Sequence, residues 1–353
     1  MGRRVVFFII ATLIMVSIIW GNPVSRLTSV IFPTPPEPIA VSETVGSLAL
    51  TVDDERLWQH VLAVSQPRFG EGQKAAVRDY IAQTLASYGL GIVQQQYAHP
   101  ETNQPETGGL NIVAEIPGRD AAAGTYVLGA HYDTHKGSPG ADDNGSAIAA
   151  VLEAARLFSD TANQNEGRSP FDATLKLVFF DQEERQPDGS GLLGSLAFTN
   201  STNNVAGVNG AIILDMIGYA CRTAGCQQYP ERLPLQNVPE TGDFLAVLGL
   251  AEDPELIGAF MGSTQKNWPL VMSLPIPKAA LTVVPDLLRS DHAPFWEKDI
   301  PAVFVTDTAN FRNPNYHTAG DTPETIDRSF FRGCAQHVVN ATAALLSQSA
   351  SES

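Results

Sequence analysis

Short apolar runs alternate with stretches of helical spacing over most of the chain after residue 47. Val77, Ile81 and Leu85 recur at helical intervals, whereas the strand-like runs are short and continuously apolar. Such strands are typical of a sheet covered on both faces. The predicted strands are 110–116, 126–130, 175–180, 210–214, 244–248, 281–284 and 302–305, and the predicted helices are 57–64, 72–88, 146–158, 254–266 and 329–346. The pattern predicts one α/β domain with a mostly parallel mixed sheet flanked by helices.

The N-terminal segment has a different pattern. Arg3 and Arg4 precede an uncharged apolar run over residues 5–20, and a Pro-rich stretch follows from residue 32. A basic start before such a run is typical of an export signal. We expect a signal-anchor or signal peptide at 1–22, a linker at 23–46 and the folded domain at 47–349, in a protein that is membrane-anchored or secreted. No clear cleavage site is present, which favours an uncleaved membrane anchor over a removed signal.

Composition narrows the function classes. The 353 residues include 38 acidic and 22 basic side chains, for a net charge of −16. Nucleic-acid binding needs clustered Lys and Arg, so we expect no nucleic-acid partner. The three cysteines have no zinc-ribbon spacing. Cys221 and Cys226 bracket a short loop that either carries a disulfide or leaves two free thiols.

Candidate metal ligands follow several of the predicted strands. His131 ends the run 126–130, and Asp133 lies two residues later, where it could accept the second N–H of the imidazole. Asp142 and Asp143 precede a predicted helix. Two adjacent carboxylates exceed what a helix cap needs, and one of them could bridge two cations. The sequence therefore predicts a cation site at the carboxyl edge of the sheet.

Two further strands add carboxylates, and a late loop adds a histidine. Glu183 and Glu184 follow strand 175–180, Asp215 follows strand 210–214, and His317 lies in the loop after strand 302–305. Two histidines and three carboxylates form a set that suits two zinc ions. In this interpretation Glu184 binds metal, and Glu183 is free to take a proton from metal-activated water.

The sequence resembles the zinc exopeptidase family that contains the bacterial leucyl aminopeptidases, aminopeptidase S and the glutamate carboxypeptidases. The matching motifs occur in the family's order: His131-Tyr-Asp-Thr, Gly140-Ala-Asp-Asp-Asn-Gly, Glu183-Glu184, Leu214-Asp215-Met, Ser290-Asp-His-Ala-Pro-Phe and Tyr316-His317-Thr. Two features depart from it: a longer loop after Glu184, and an insertion at 219–240.

The resemblance implies a phosphorylase/hydrolase-like fold and a role for each matching residue. One zinc would be held by His131, Asp143 and Glu184, and a second by Asp143, Asp215 and His317. Glu183 would be the general base and Asp133 the partner of His131. Asp291 and His292 would line the pocket, support the ligands or serve packing.

The function predicted is zinc-dependent hydrolysis of peptide substrates, most simply by an aminopeptidase that releases N-terminal residues. Three alternatives remain open at this stage: a single-zinc glutaminyl cyclase, a carboxypeptidase and an inactive anchored binding domain. A carboxypeptidase would need a cation for the terminal carboxylate, for which the candidates are Arg185, Arg222, Arg289 and Arg312.

Overall fold

Eight strands form one mixed sheet in the computed structural model, which describes residues 34–39, 48, 50–100, 102–104, 108–165, 169–233, 235 and 237–348. The strands are β1 (Ile92–Tyr97), β2 (Gly109–Ile116), β3 (Thr125–His131), β4 (Thr174–Phe180), β5 (Val208–Leu214), β6 (Phe244–Leu250), β7 (Leu270–Ile276) and β8 (Ala302–Thr306). The helices are α1 (Asp54–Val64), α2 (Glu71–Ser87), α3 (Ala147–Gln164), α4 (Leu193–Asn200), α5 (Thr202–Val205), α6 (Pro254–Gly262), α7 (Ala293–Glu297) and α8 (Arg328–Leu346).

The strand order is β1-β2-β4-β3-β5-β8-β6-β7. The four central strands β4, β3, β5 and β8 are mutually parallel, so their carboxyl ends meet at one edge. The flanking strands β1, β2 and β6 pair antiparallel with their neighbours on at least one side. This arrangement confirms the predicted α/β class with a mixed sheet and helices on both faces.

Alternation along the central strands separates two apolar layers. On one face, residues such as Leu177 and Ile212 pack with helices α1, α2, α3, α6 and α8. On the other, Val178 and Ile213 pack with Phe198 of α4 and Phe295 of α7. Because each strand is covered twice, its residues are apolar almost without interruption, which explains the pattern in the sequence.

Some predicted elements differ from the structure. The strand predicted at 281–284 is wrong: two short 3₁₀ helices, Lys278–Thr282 and Pro285–Leu288, occupy that region, and the strand β7 lies before them. Strand β1 was not predicted from the sequence, because its Gln-Gln-Gln centre is polar, as an edge strand allows. Single short apolar runs do not distinguish a strand from a tight helical turn.

The segment before the domain is only partly described. The expected anchor lies outside the described residues, and within them no helix is long and apolar enough to cross a membrane. Residues 34–39 are described, and Ile39 donates its N–H to the Gly258 carbonyl at 2.9 Å and packs against the main core. Ile39 belongs to the predicted linker, so this part of the linker packs against the domain. The limits of the three predicted segments remain a prediction.

Candidate metal centre

The four central strands bring the predicted ligands to one edge of the sheet. His131 is the last residue of β3, Asp215 follows β5 directly, and Glu183 and Glu184 lie in the turn after β4. His317 comes from the loop after β8. The backbone of His317 is left-handed, with φ of 58°, as is that of Gln182 before Glu183, with φ of 56°. Such backbone occurs where the surroundings hold a side chain in a required direction.

These side chains form two clusters that share Asp143. In the first cluster, His131 Nε2 lies 3.4 Å from Asp143 Oδ1, 3.7 Å from Asp215 Oδ1 and 3.9 Å from Glu183 Oε2. In the second, His317 Nε2 lies 3.2 Å from both Asp143 Oδ2 and Glu184 Oε1. In the first cluster, the ligand atoms within 4.8 Å of one another belong to His131, Glu183 and Asp215, and in the second to Asp143, Glu184 and His317. The two oxygens of Asp143 thus face different clusters.

The division of ligands differs from the predicted one. The family resemblance implied that Glu184 lies with His131, and Asp215 with His317. In the structure Glu184 lies with His317, and Asp215 lies with His131. Strand β3 lies between β4 and β5, so strand order alone does not determine which carboxylate lies beside which histidine. The direction of each side chain determines it. The set of five residues remains a prediction as metal ligands.

Three buried atoms in these clusters indicate that a cation fits between them. His131 Nε2, Asp143 Oδ2 and Glu184 Oε1 are buried and have no hydrogen-bond partner among the described residues. Buried polar atoms are rarely left without a partner in folded proteins. Imidazole nitrogen and carboxylate oxygen are both zinc ligands, so the donor set matches that metal.

The pKa values of the clustered side chains also indicate a cation site. Burial raises the pKa of Glu183 well above its usual value, and the charges of Asp215 and Glu184 add to the effect. Burial and Asp143 raise the pKa of Glu184 to about 7. Burial opposes protonation of His317, but Asp143 and Glu184 raise its pKa to about 9. Crowded carboxylates of this kind are relieved by a bound cation.

Asp133 supports both clusters. His131 Nδ1 lies 3.2 Å from the backbone carbonyl oxygen of Asp133 and 3.5 Å from Oδ1 of its carboxylate. The same carboxylate accepts hydrogen bonds from the backbone N–H groups of Glu183 at 3.1 Å and Glu184 at 3.2 Å. One fully buried side chain therefore orients the histidine and holds the turn that carries both glutamates. This contact with His131 is the one expected from the His-x-Asp spacing, and it is a common way to orient a ligating imidazole.

Two supporting residues were missed by sequence reasoning. Asp321 accepts hydrogen bonds from the backbone N–H groups of Asp142 and Asp143 at 2.9 and 3.0 Å, which fixes the shared carboxylate. Arg68 is fully buried below the site and donates to main-chain carbonyls, including those of Tyr132 at 2.7 Å and Gly140 at 2.9 Å. Asp321 lies four residues after His317 in the same loop, so its position next to that motif could have indicated it. Arg68 lies in an undistinguished loop, and no local pattern marks it.

Asp142 is a structural neighbour rather than a member of the clusters. Its carboxylate accepts hydrogen bonds from the Gly218 N–H at 2.9 Å and the Asn313 side chain at 3.0 Å. Asp291 and His292 are also fully buried. Burial raises the pKa of Asp291 to about 7. His292 donates from Nε2 to the Leu287 carbonyl at 2.8 Å and stacks on Phe304, so its role is packing.

A largely apolar pocket opens beside the first cluster. It has about 770 Å³ of space, part of it open to solvent, and Asp215 and Tyr316 lie in its wall. Strands β6, β7 and β8, the 3₁₀ turn before Arg289, the loop before His317 and the insertion at 219–240 all contribute to its apolar lining. The apolar residues that line it are Tyr229, Leu233, Leu235, Phe244, Leu248, Met272, Leu274, Leu287, Phe304 and Phe311. The expected disulfide between Cys221 and Cys226 is present at the start of that insertion.

The four candidate arginines differ in position. Arg289 lines the pocket, where it donates to Asn310 at 2.8 Å and to the Tyr316 hydroxyl at 3.0 Å. Arg312 is buried and packs over the Phe244 ring, 4.5 Å from its centroid. Arg222 is exposed and pairs with Asp327, and Arg185 is exposed. Only Arg289 of the four lies in the pocket wall.

The family match identifies a peptidase, and the two histidine–carboxylate clusters make it a candidate metallopeptidase. The chain belongs to peptidase family M28, whose model matches residues 111–239 and 275–342. An uncharacterized Escherichia coli protein, YfbL, is 33% identical over 279 residues, which cover 76% of this chain and 78% of that protein. Leucine aminopeptidase 1 of Pyrenophora teres f. teres is 28% identical over 58% of this chain, and the match spans about half, 52%, of that enzyme.

Solved structures share the fold. BSAP, a zinc aminopeptidase from Bacillus subtilis, superposes with a TM-score of 0.64 at 16% identity, covering 86% of this chain and 97% of that one. The glutaminyl cyclase of Macrostomum lignano superposes with a TM-score of 0.61 at 18% identity, covering 90% and 97%. At these identities the likeness establishes the architecture alone.

Proposed function

We propose that this protein is a zinc-dependent aminopeptidase that prefers N-terminal residues with large apolar side chains. The observation that carries the proposal is the apolar pocket, because it opens on Asp215 at the edge of the first cluster. A side chain held in that pocket places its own amine and carbonyl beside the clustered carboxylates. Burial of a leucine or phenylalanine side chain contributes roughly 1.5–3 kcal/mol to such binding.

The chain's own residues divide the chemistry. His131, Asp143 and Asp215 would hold one zinc ion, and Asp143, Glu184 and His317 a second. Zinc, when bound, supplies Lewis acidity that acidifies water and polarises the scissile carbonyl. Glu183 takes the proton of the attacking water and returns it to the leaving amine. Asp133 keeps Glu183 and His131 in position through the contacts described above.

The choice of peptide end rests on the partners of Arg289. A carboxypeptidase would need a free cation to bind the terminal carboxylate. Arg289 already donates to Asn310 and Tyr316, and its NH1 lies 3.4 Å from Asp286. The acidic surroundings of Asp215 suit a positively charged amine instead. The leucine aminopeptidases among the relatives support this choice.

A glutaminyl cyclase is the second candidate, supported by the shared architecture. Such an enzyme would use one zinc. Two separate groups of ligand atoms support two ions, and Asp143 has one oxygen beside each histidine. Zinc measured per chain separates the candidates: two ions support the peptidase, and one ion together with cyclisation of N-terminal glutamine would support the cyclase.

The proposal places the enzyme outside the cytoplasm, held by the apolar segment at 1–22. Protease added to cell-wall-free cells should then reach the domain. A domain protected there, or enzyme found only in the cytosol, would contradict this location.

Matched substrates test the activity. Leu-Ala-amide keeps a free amine and lacks a carboxylate, whereas N-acetyl-Leu-Ala has the opposite ends. We expect hydrolysis of the amide, no hydrolysis of the acetylated peptide, and at least tenfold lower kcat/KM for Asp-Ala-amide. Hydrolysis of the acetylated peptide alone would instead assign a carboxypeptidase.

A further inference from the structure

A buried ion pair lies behind the turn that carries Glu183. Lys74 of α2 places Nζ 2.6 Å from Asp181 Oδ1, and the two side chains are 4% and 0% exposed. The other oxygen of Asp181 accepts the backbone N–H of Leu110 at 3.0 Å. Helix α2 and strand β2 are thereby tied to the residue that follows β4.

The main chain of Asp181 is held just as closely. Its N–H donates to Asn111 Oδ1 at 3.0 Å, and its carbonyl accepts from the Tyr97 hydroxyl at 3.0 Å and the Gly194 N–H at 2.9 Å. A Cβ at Gly194 would lie 2.4 Å from that carbonyl, so only glycine permits the contact. Two residues further on, Asp133 holds the N–H groups of Glu183 and Glu184. The turn is therefore clamped at both ends, with a left-handed residue between.

An ion pair at this place is a costly way to obtain stability alone. Desolvation of two charges offsets much of their attraction, and apolar side chains of similar size often stabilise a fold as well or better. A short ion pair, however, demands a particular distance and direction between its two groups. Misplacing a reacting group by about 1 Å can cost on the order of 100-fold in rate.

We propose that Lys74 and Asp181 are positioning residues that fix the direction of the Glu183 carboxylate. This inference rests on the proposed function, in which Glu183 moves the proton. The pair touches neither the apolar pocket nor the two metal clusters. Its loss should therefore lower kcat and leave KM and zinc content close to those of the unaltered enzyme.

The test separates position from stability. Lys74→Met leaves the buried Asp181 carboxylate without its cation, so this variant should have both a lower melting temperature and a lower kcat. Lys74→Met with Asp181→Asn removes both charges and keeps an acceptor for Leu110. We expect this double variant to regain melting temperature, while its kcat stays at least about tenfold below that of the unaltered enzyme and its KM stays within about threefold.

The matched control is Lys176→Met. Lys176 lies on β4, is 8% exposed and pairs with Glu115 at 3.2 Å, away from the turn. Its kcat should not change.

A double-mutant cycle that combines Lys74→Met with Glu183→Gln tests whether the Lys74–Asp181 pair acts through Glu183. If the pair works through Glu183, adding Lys74→Met to Glu183→Gln should cause no further loss of the residual kcat. An equal fractional loss in both backgrounds, or an unaltered kcat in the neutral double variant, would overturn the positioning role. Unaltered turnover in Glu183→Gln alone would instead overturn the proposed base, so the two failures are distinguishable.

Discussion

At the residue scale, two neighbouring glutamates have different surroundings, and we predict different roles for them. Glu184 lies 3.2 Å from His317 in the second cluster, whereas Glu183 Oε2 lies 3.9 Å from His131 Nε2 in the first. Glu183→Gln should retain zinc and lose roughly 100-fold or more in kcat, the contribution typical of a general base. Glu184→Gln should lower zinc affinity instead. Turnover and zinc content, measured on both variants, check the assignment, and zinc loss from Glu183→Gln would count against it.

A second residue-scale prediction concerns His60, which is buried in α1 and lies 2.7 Å from the Tyr80 hydroxyl through Nδ1. Burial lowers its pKa from 6.5 to about 4. The unfolded state binds its proton first as pH falls, so the stabilisation is complete above pH 6.5 and is lost between pH 6.5 and 4. The loss should be about 3 kcal/mol, at 1.36 kcal/mol for each pKa unit. Urea unfolding of His60→Gln should show a weaker dependence on pH across that window.

The candidate site shows what residue types and spacing can predict. The residues proposed as ligands, as the base and as their support were found from sequence because each follows a strand or lies in a motif with the right spacing. The structure brings them together at one edge of the sheet, and their roles remain predictions. The pairing of Glu184 with His317 could not be predicted, since it depends on side-chain directions set by left-handed backbone at Gln182 and His317. Arg68 was missed because its role depends on long-range contacts with main-chain carbonyls near residues 132 and 140.

At the scale of elements, the Pro-rich segment is part of the packed domain. Helix α6 carries Gly258 and Gly262 on one face, and a Cβ at Gly262 would lie 1.8 Å from the Ile39 carbonyl. In a solvent-exposed helix, replacing glycine with alanine stabilises the helix by about 1 kcal/mol. Gly262→Ala should instead destabilise the full chain, because the segment at 34–39 must move away.

Two comparisons test whether Gly262→Ala destabilises the full chain instead of stabilising it. Gly72→Ala in α2 is the control, since a Cβ there meets nothing within 4 Å, and its melting temperature should not fall. In a chain without residues 1–39, Gly262→Ala should be neutral or stabilising. A full-length Gly262→Ala protein that melts higher than the unaltered protein would show that the segment does not occupy this face.

The disulfide belongs to the same scale. Cys226 precedes Gln227 and Gln228, and the Gln228 N–H donates to the Phe311 carbonyl at 2.7 Å in the pocket wall. A loop this short contributes only about 2 kcal/mol when closed. Replacing both cysteines with serine should therefore raise KM more than it lowers the melting temperature. Steady-state kinetics on apolar substrates check this, and an unaltered KM would separate the bridge from the pocket.

For the whole molecule, the alternation of apolar strands and helices predicted the α/β class because most strands are covered on both faces. The edge strands were harder to predict. Strand β1 is polar, and β7 carries Ser273 and Pro275, so neither has the continuous apolar run on which the prediction depended. The direction of β6 could not be predicted either. Its antiparallel pairing with β8 depends on a long connection between strands and not on the local sequence pattern.

The final prediction concerns the stability of the whole domain with and without zinc. Glu184 is buried and Glu183 is partly buried, near Asp143 and Asp215, and bound cations remove the repulsion between these carboxylates. One site at 100-fold excess of zinc over Kd stabilises by about 2.7 kcal/mol. At about 2–4 °C for each kcal/mol, the melting temperature should rise by at least about 5 °C on addition of zinc to chelated protein. Glu184→Gln should reduce the rise, whereas Lys176→Met, remote from the clusters, should keep it. Equal melting temperatures for chelated and zinc-loaded protein would contradict a cation site in these clusters.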